Sequence, residues 1–322
     1  MLLLDARQAC LVRIEVVGPG SSAVLPAAPH PFPLNLFFSF RQYLNVKREF
    51  KYIFADHRFG ASRGHLQDSF GGRVRRAFKI TAIVAVSVLV FGLISFIAWG
   101  MTPLGPTEEA LAAMESDAIV TVQDDGHFIV FTPTMIVPLT GFILYPGGHV
   151  DYRSYAPIAR EIASRGYRVS IVKMPLSLAI FGVDRADDVI AAYPDVRYWV
   201  IGGHSLGGSM AATYAKNNPR EIQGLVFWAS YPADSDDLSK TDLKGLTTYG
   251  SNDLVLDTDN FNATLPLLPP GTIIHIIQGG NHAQFGNYGP QPGDGTATIS
   301  SADQQQQAAN LTVRLLRAVE GE

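Results

Sequence analysis

The chain has almost no cysteine. One thiol, Cys10, occurs in 322 residues, so neither a disulfide framework nor a thiolate metal cluster can form and the fold must hold by packing. HExxH, paired Cys/His ligand spacings and a Walker loop are also missing. His149, Asp151 and His282 are the residues that could contribute ligands, but without such spacing neither a metal nor a cofactor is expected. Cations are scarce in the larger part of the chain: residues 101–322 hold 13 Lys+Arg against 24 Asp+Glu, while residues 1–100 hold 12 against 5. Phosphate binding needs clustered Lys and Arg, so nucleic acid is excluded as a partner.

One stretch lacks charge altogether. Residues 80–98 (ITAIVAVSVLVFGLISFIA) run for 19 residues without a charged residue or a proline, about what a helix needs to cross a hydrocarbon layer of about 30 Å. Arg73, Arg75, Arg76 and Lys79 precede it, and no Lys or Arg follows until Arg153. The positive-inside rule then puts the N-terminus in the cytoplasm and the rest of the chain outside. Ala98-Trp99-Gly100 has the small residues of a signal-peptidase site, but about 80 residues precede it, which favours an uncleaved anchor. The expected organisation is a cytoplasmic, poorly ordered extension over 1–78, a transmembrane helix over 79–100, a linker over 101–114 and one folded domain over 115–322. Pro26, Pro31 and Pro33 break up the extension, and a translation start nearer Arg73 is a further expectation, which N-terminal sequencing tests.

Beyond the linker, short apolar runs alternate with segments of helical period. Strands are expected at 118–123, 128–132, 141–145, 168–173, 198–202, 225–229, 245–249 and 272–278, and helices at 155–165, 186–193, 205–217 and 303–319. Strand–helix alternation implies parallel pairing with helices on both faces. The expected fold is therefore α/β: a doubly wound, mostly parallel eight-stranded sheet flanked by helices and preceded by one transmembrane helix.

Glycine is dense at one strand end. Gly202-Gly203-His204-Ser205-Leu206-Gly207-Gly208 follows Tyr198-Trp199-Val200-Ile201 and opens a helix, which is Gly-x-Ser-x-Gly in its required strand, turn and helix context. Ser205 is the expected nucleophile. A serine needs a base, and a carboxylate to orient that base. Of eight histidines, His30, His57 and His65 precede the apolar run, His127 sits in the first hairpin and His275 inside an apolar strand, where a core role is expected. His282, in a glycine-flanked loop after the last strand (QGGNHAQF), is the expected base. Asp253 (YGSNDLV), between serine and histidine in chain order, is the expected acid, with Asp236 as substitute. Oxyanion donors are expected from the Leu206 N–H and from Pro146-Gly147-Gly148-His149, with Gly148 preferred and His149 the alternative.

Together, YPGGHVDYRSY, KMPLSLAIFG, GGHSLGGSMAATYA, LVFWASYP, YGSNDLV and QGGNHAQFGNYG resemble the small, capless α/β-hydrolases related to dienelactone hydrolase, over about residues 115–320. The resemblance implies a triad of Ser205, Asp253 and His282, acting on a small-molecule ester. Dienelactone hydrolases carry a cysteine where this chain has Ser205, which argues against a dienelactone substrate. Haloalkane dehalogenases of the same fold use an aspartate nucleophile and are excluded. Only about 15 residues separate Ala229 from Gly245, too few for a large lid, so an open pocket for accessible esters is expected, with lipid-derived esters among them given the anchor. The rival readings are a membrane-tethered acyltransferase using the same acyl-enzyme and a non-catalytic binding protein of the same fold.

Overall fold

The computed structural model describes residues 63–321, with side chains from residue 73 onward. The expectation for residues 1–62 lies outside them. Eight strands follow in chain order: β1 Val120–Asp124, β2 Phe128–Pro133, β3 Thr140–Tyr145, β4 Arg168–Val172, β5 Tyr198–His204, β6 Gly224–Trp228, β7 Lys244–Gly250 and β8 Ile273–Ile277. They form one sheet in the order β1-β2-β4-β3-β5-β6-β7-β8. β1 and β2 pair antiparallel with each other and β2 with β4, while every pairing from β4 through β8 is parallel. All eight expected strands are present: the inner strands β2 to β7 are buried on both faces and leave near-continuous apolar runs in the sequence, while the edge strands β1 and β8 are largely exposed.

The two faces are separated by the period of 2 in each strand. In β3, Phe142 and Leu144 join one core cluster while Ile143 and Tyr145 join the other. The first cluster is covered by Ile158 and Ile162 of α3 (Ala156–Ala163) and by Leu315 and Leu316 of α7 (Ser301–Glu320). The second is covered by Val189 of α4 (Ala186–Ala192) and by Ala211 and Tyr214 of α5 (Leu206–Asn217). Small residues on α5 bring it close to the sheet.

Four features depart from the expectations. The long helix, α1, runs Arg63–Gly100, upstream of the apolar run, because no proline interrupts residues 63–79; its Val74–Gly100 portion is long and apolar enough to cross a membrane and no part of its most apolar window is buried. Residues 101–114 are not a free linker. Leu104 bridges Val150, the Thr107 N–H donates to the Asn287 carbonyl (2.8 Å), and a short helix, α2 (Glu108–Ala112), buries Ala110. A second short helix, α6 (Thr258–Thr264), was not expected; the Asp257 carboxylate caps it by accepting from the Asp259 and Asn260 N–H groups. His275 is also no core residue, since β8 is the sheet's edge and exposes Ile273, Ile274 and Ile276 beside it.

Candidate active site

Ser205 sits between the end of β5 and the start of α5 with φ 51° and ψ −124°. A non-glycine residue there is strained by about 1–3 kcal/mol, and the surroundings enforce it. The Ser205 N–H donates to the Trp228 carbonyl (3.0 Å) and its own carbonyl accepts from Ser230 Oγ (2.6 Å). Neighbouring glycines allow the turn by close approach: a Cβ on Gly207 would lie 2.2 Å from the Tyr145 carbonyl oxygen, and one on Gly203 2.5 Å from the same atom. Strain of this kind is confined to one rim. The non-glycine residues with positive φ among the described residues are His149 after β3, Leu176 and Ser177 after β4, Ser205 after β5 and Ala229 after β6. All lie at the C-terminal ends of strands, where open α/β sheets bind their ligands.

The loop after β7 brings Asp253 to His282. Asp253 Oδ2 lies 2.9 Å from His282 Nδ1, and the two side chains are 1% and 2% exposed. The other carboxylate oxygen, Oδ1, accepts from the Val255 (2.9 Å) and Leu256 (2.8 Å) N–H groups. A carboxylate oxygen only accepts, so Nδ1 is the donor in this contact and Nε2 is the ring nitrogen left to face other partners. Ser205 and His282 border one pocket of about 310 Å³, shared with Leu206, Tyr231, Val255 and Leu256. Asp236, the alternative acid, is bonded elsewhere, to Thr213 Oγ1 (2.5 Å) and Lys216 Nζ (3.5 Å).

Of the oxyanion candidates, Leu206 is the first residue of α5, where helical N–H groups have no intrahelical acceptor, and Gly148 stands beside it: a Cβ on Gly148 would lie 3.3 Å from Leu206 Cδ2. The His149 N–H is committed to the Ser177 carbonyl (2.7 Å). Its ring stacks on Trp99 at 4.0 Å, and Nε2 lies 2.8 Å from the Trp99 carbonyl, so His149 is turned toward α1. Among the described residues no group of three or more His, Cys, Asp or Glu is placed to hold a metal ion.

Two contributors were not singled out from the sequence. Asp294 ties both loops together, accepting from the backbone N–H groups of His282 (3.2 Å), Ala283 (2.8 Å) and Leu254 (3.4 Å). His204 lies beside His282, its ring 4.5 Å from that of His282 and packed against Phe285, Tyr155 and Tyr288. The Gly147 N–H donates to the Tyr155 hydroxyl (3.0 Å), whose oxygen lies 2.8 Å from His204 Nδ1. Burial, with His282 alongside, holds the His204 imidazole well below its usual range, and burial raises both tyrosine phenols. His204 is therefore held toward its neutral form beside the His282 ring.

That neutrality has a stability consequence. Below a pH of about 6.5 the unfolded chain protonates this histidine while the folded chain does not, so the His204 contribution is fully present above that pH and is lost as pH falls, by up to about 1.4 kcal/mol per unit. Thermal unfolding in detergent should show wild type losing more stability between pH 7.5 and 5 than His204→Asn, whose amide oxygen can still accept from Tyr155. Parallel slopes would rule this account out.

A sequence profile of the Alpha/beta hydrolase family matches residues 141–306, just over half of the chain. The chain belongs to the alpha/beta hydrolase family. A search of curated protein sequences finds no match. Among solved structures, a lipase-like protein of Acinetobacter baumannii AYE superposes with a TM-score of 0.50 at 14% identity, covering 66% of this chain and 95% of its own. A CIB-like hydrolase of Thermoplasma acidophilum gives 0.43 at 18%, covering 62% and 99%. An alpha/beta hydrolase enzyme from a lagoon-sediment metagenome of Mar Chica, Morocco, gives 0.41 at 19%, covering 51% and 90%. The chain is a hydrolase.

Proposed function

We propose that this hydrolase cleaves carboxylic esters through an acyl-enzyme, with Ser205 as nucleophile, His282 as general base and acid, and Asp253 as the group that orients His282. The observation that carries the reading is the strained Ser205 turn opening onto the same pocket as the buried Asp253–His282 pair. Ser205 Oγ attacks the ester carbonyl carbon as His282 Nε2 takes its proton. The resulting oxyanion is met by the Leu206 and Gly148 N–H groups, aided by the α5 N-terminus. Collapse breaks the carbon–alkoxy bond, and the alcohol leaves with the proton from His282. Water then attacks the acyl-enzyme, gives its proton to His282, and the acid is released as Ser205 is restored.

Several features favour a pocket open to esters of accessible shape. The segment between β6 and β7 carries no helix or strand, so no inserted lid covers Ser205. The pocket walls set apolar Leu206, Val255 and Leu256 beside polar Ser209, Ser230 and Asp257, so an acyl or alkyl chain has apolar surface to rest on next to the reacting groups. In the same proposal α1 is an uncleaved signal anchor, with the N-terminus cytoplasmic and the catalytic domain on the far side of the membrane. A fluorophosphonate probe tests the chemistry: the full chain in detergent should be labelled, with the adduct on the Ser205 peptide by mass spectrometry. A folded chain that stays unlabelled, or is labelled on another serine, would overturn it.

A further inference from the structure

The long apolar helix and the pocket are coupled through a short series of contacts. Phe96 meets Phe181 edge to face at 6.3 Å, and a Cβ on Gly100 would lie 2.8 Å from Leu176 Cβ. Trp99 stacks on His149. His149 adjoins Gly148, which rests against Leu206, the residue after Ser205. The end of α1 is thus separated from the candidate nucleophile by one loop.

Depth follows from helix geometry. Phe96 lies four residues inside the end of the Val74–Gly100 segment, about 6 Å along the axis at about 1.5 Å per residue. Phe181, in contact with Phe96, reaches the level of that segment's last turn. The loop after β4 therefore stands beside the part of α1 whose exposed apolar surface requires non-aqueous surroundings. On this loop Ile180 is 56% and Phe181 53% exposed. Across the pocket Leu254 is 74% exposed, and its neighbour Val255 lines the pocket wall.

We propose that the 174–182 loop seats in the surface of the bilayer that α1 crosses, so that the pocket takes its substrate from the lipid leaflet: long-chain acyl esters held in the membrane, not water-soluble esters. The substrate claim rests on the esterase reading above, whereas the seating does not. Ile180 and Phe181 are outside the pocket lining and their side chains touch lipid.

Two measurements on the full chain in phosphatidylcholine vesicles decide it. Because the chain has a single cysteine, a Cys10→Ser background carrying Ile180→Cys accepts one environment-sensitive fluorophore, and Met135→Cys, exposed in the loop before β3 at the opposite end of the sheet, serves as the control. Nitroxide-labelled lipid should quench the label at 180 and leave that at 135 unaffected; equal quenching, or none at 180, overturns the seating. Second, Ile180→Ser/Phe181→Ser should lower turnover of a long-chain ester presented in the vesicles by roughly tenfold, since two apolar side chains leave lipid, while turnover of a short water-soluble ester stays at the wild-type rate. Equal loss on both esters, or loss on neither, overturns the substrate claim. If wild type cleaves neither ester, the esterase reading fails and the substrate claim with it, and quenching at 180 still decides the seating.

Discussion

Ser205→Ala is expected to lower ester hydrolysis by about 10⁶-fold, the loss that follows when a nucleophile–base unit is left without its nucleophile. The alanine keeps the backbone of the turn, because the bonds that hold it run from the Ser205 N–H to Trp228 and from Ser230 to the Ser205 carbonyl, not through the hydroxyl. Folding should therefore be intact, with the unfolding temperature close to wild type. Steady-state hydrolysis of one ester by both proteins, with unfolding scans alongside, is the check. A variant that keeps a tenth or more of the wild-type rate would remove Ser205 from the chemistry.

Asp253→Asn should cost about 10⁴-fold with little effect on stability, as expected when the orienting carboxylate of a triad becomes an amide. The asparagine oxygen can take over the bonds that Oδ1 accepts from Val255 and Leu256, so the loop persists. Its amide nitrogen then faces His282 Nδ1, and a donor there forces Nδ1 to accept, which moves the ring proton to Nε2. The base is lost without moving an atom by much. Adding Asp253→Asn to Ser205→Ala should lower the rate no further, because the residues act as one unit. Full additivity in rate measurements on the double variant would contradict that unity.

Legibility in the sequence followed locality. The strands could be read because each leaves its own apolar or β-branched run, buried on both faces in the inner strands and largely exposed in the edge strands β1 and β8, and Ser205 because its turn demands Gly203 and Gly207 within two residues. His282 and Asp253 were placed by chain order and by their positions after strands, and the structure brings the two side chains together. What could not be read depends on partners distant in sequence. The 101–114 segment looks like a linker until Leu104 finds Val150 and Thr107 finds Asn287. α6 has few apolar residues, and its start is set by the Asp257 cap. His204 occupies the variable position of the Gly-x-Ser-x-Gly pattern, which says nothing of a ring packed beside His282. Asp294 acts on backbone N–H groups, which leave no trace in side-chain pattern; its flanking Gly293 and Gly295 were the only signal.

That aspartate divides the segment after His282 into two parts with different freedom to change. The chain leaves His282 through Asn287, held by Gln305 and Ser154, and returns at Asp294, clamped to the backbone of the loops that carry Asp253 and His282. Between these moorings, residues 289–293 are a surface arc with a glycine at each end. Insertions or deletions there are expected to change one wall of the neighbouring cavity without displacing Asp253 or His282. That cavity is separate from the pocket that Ser205 and His282 border, so the arc is a part of the surface that can change independently of the sheet's rim.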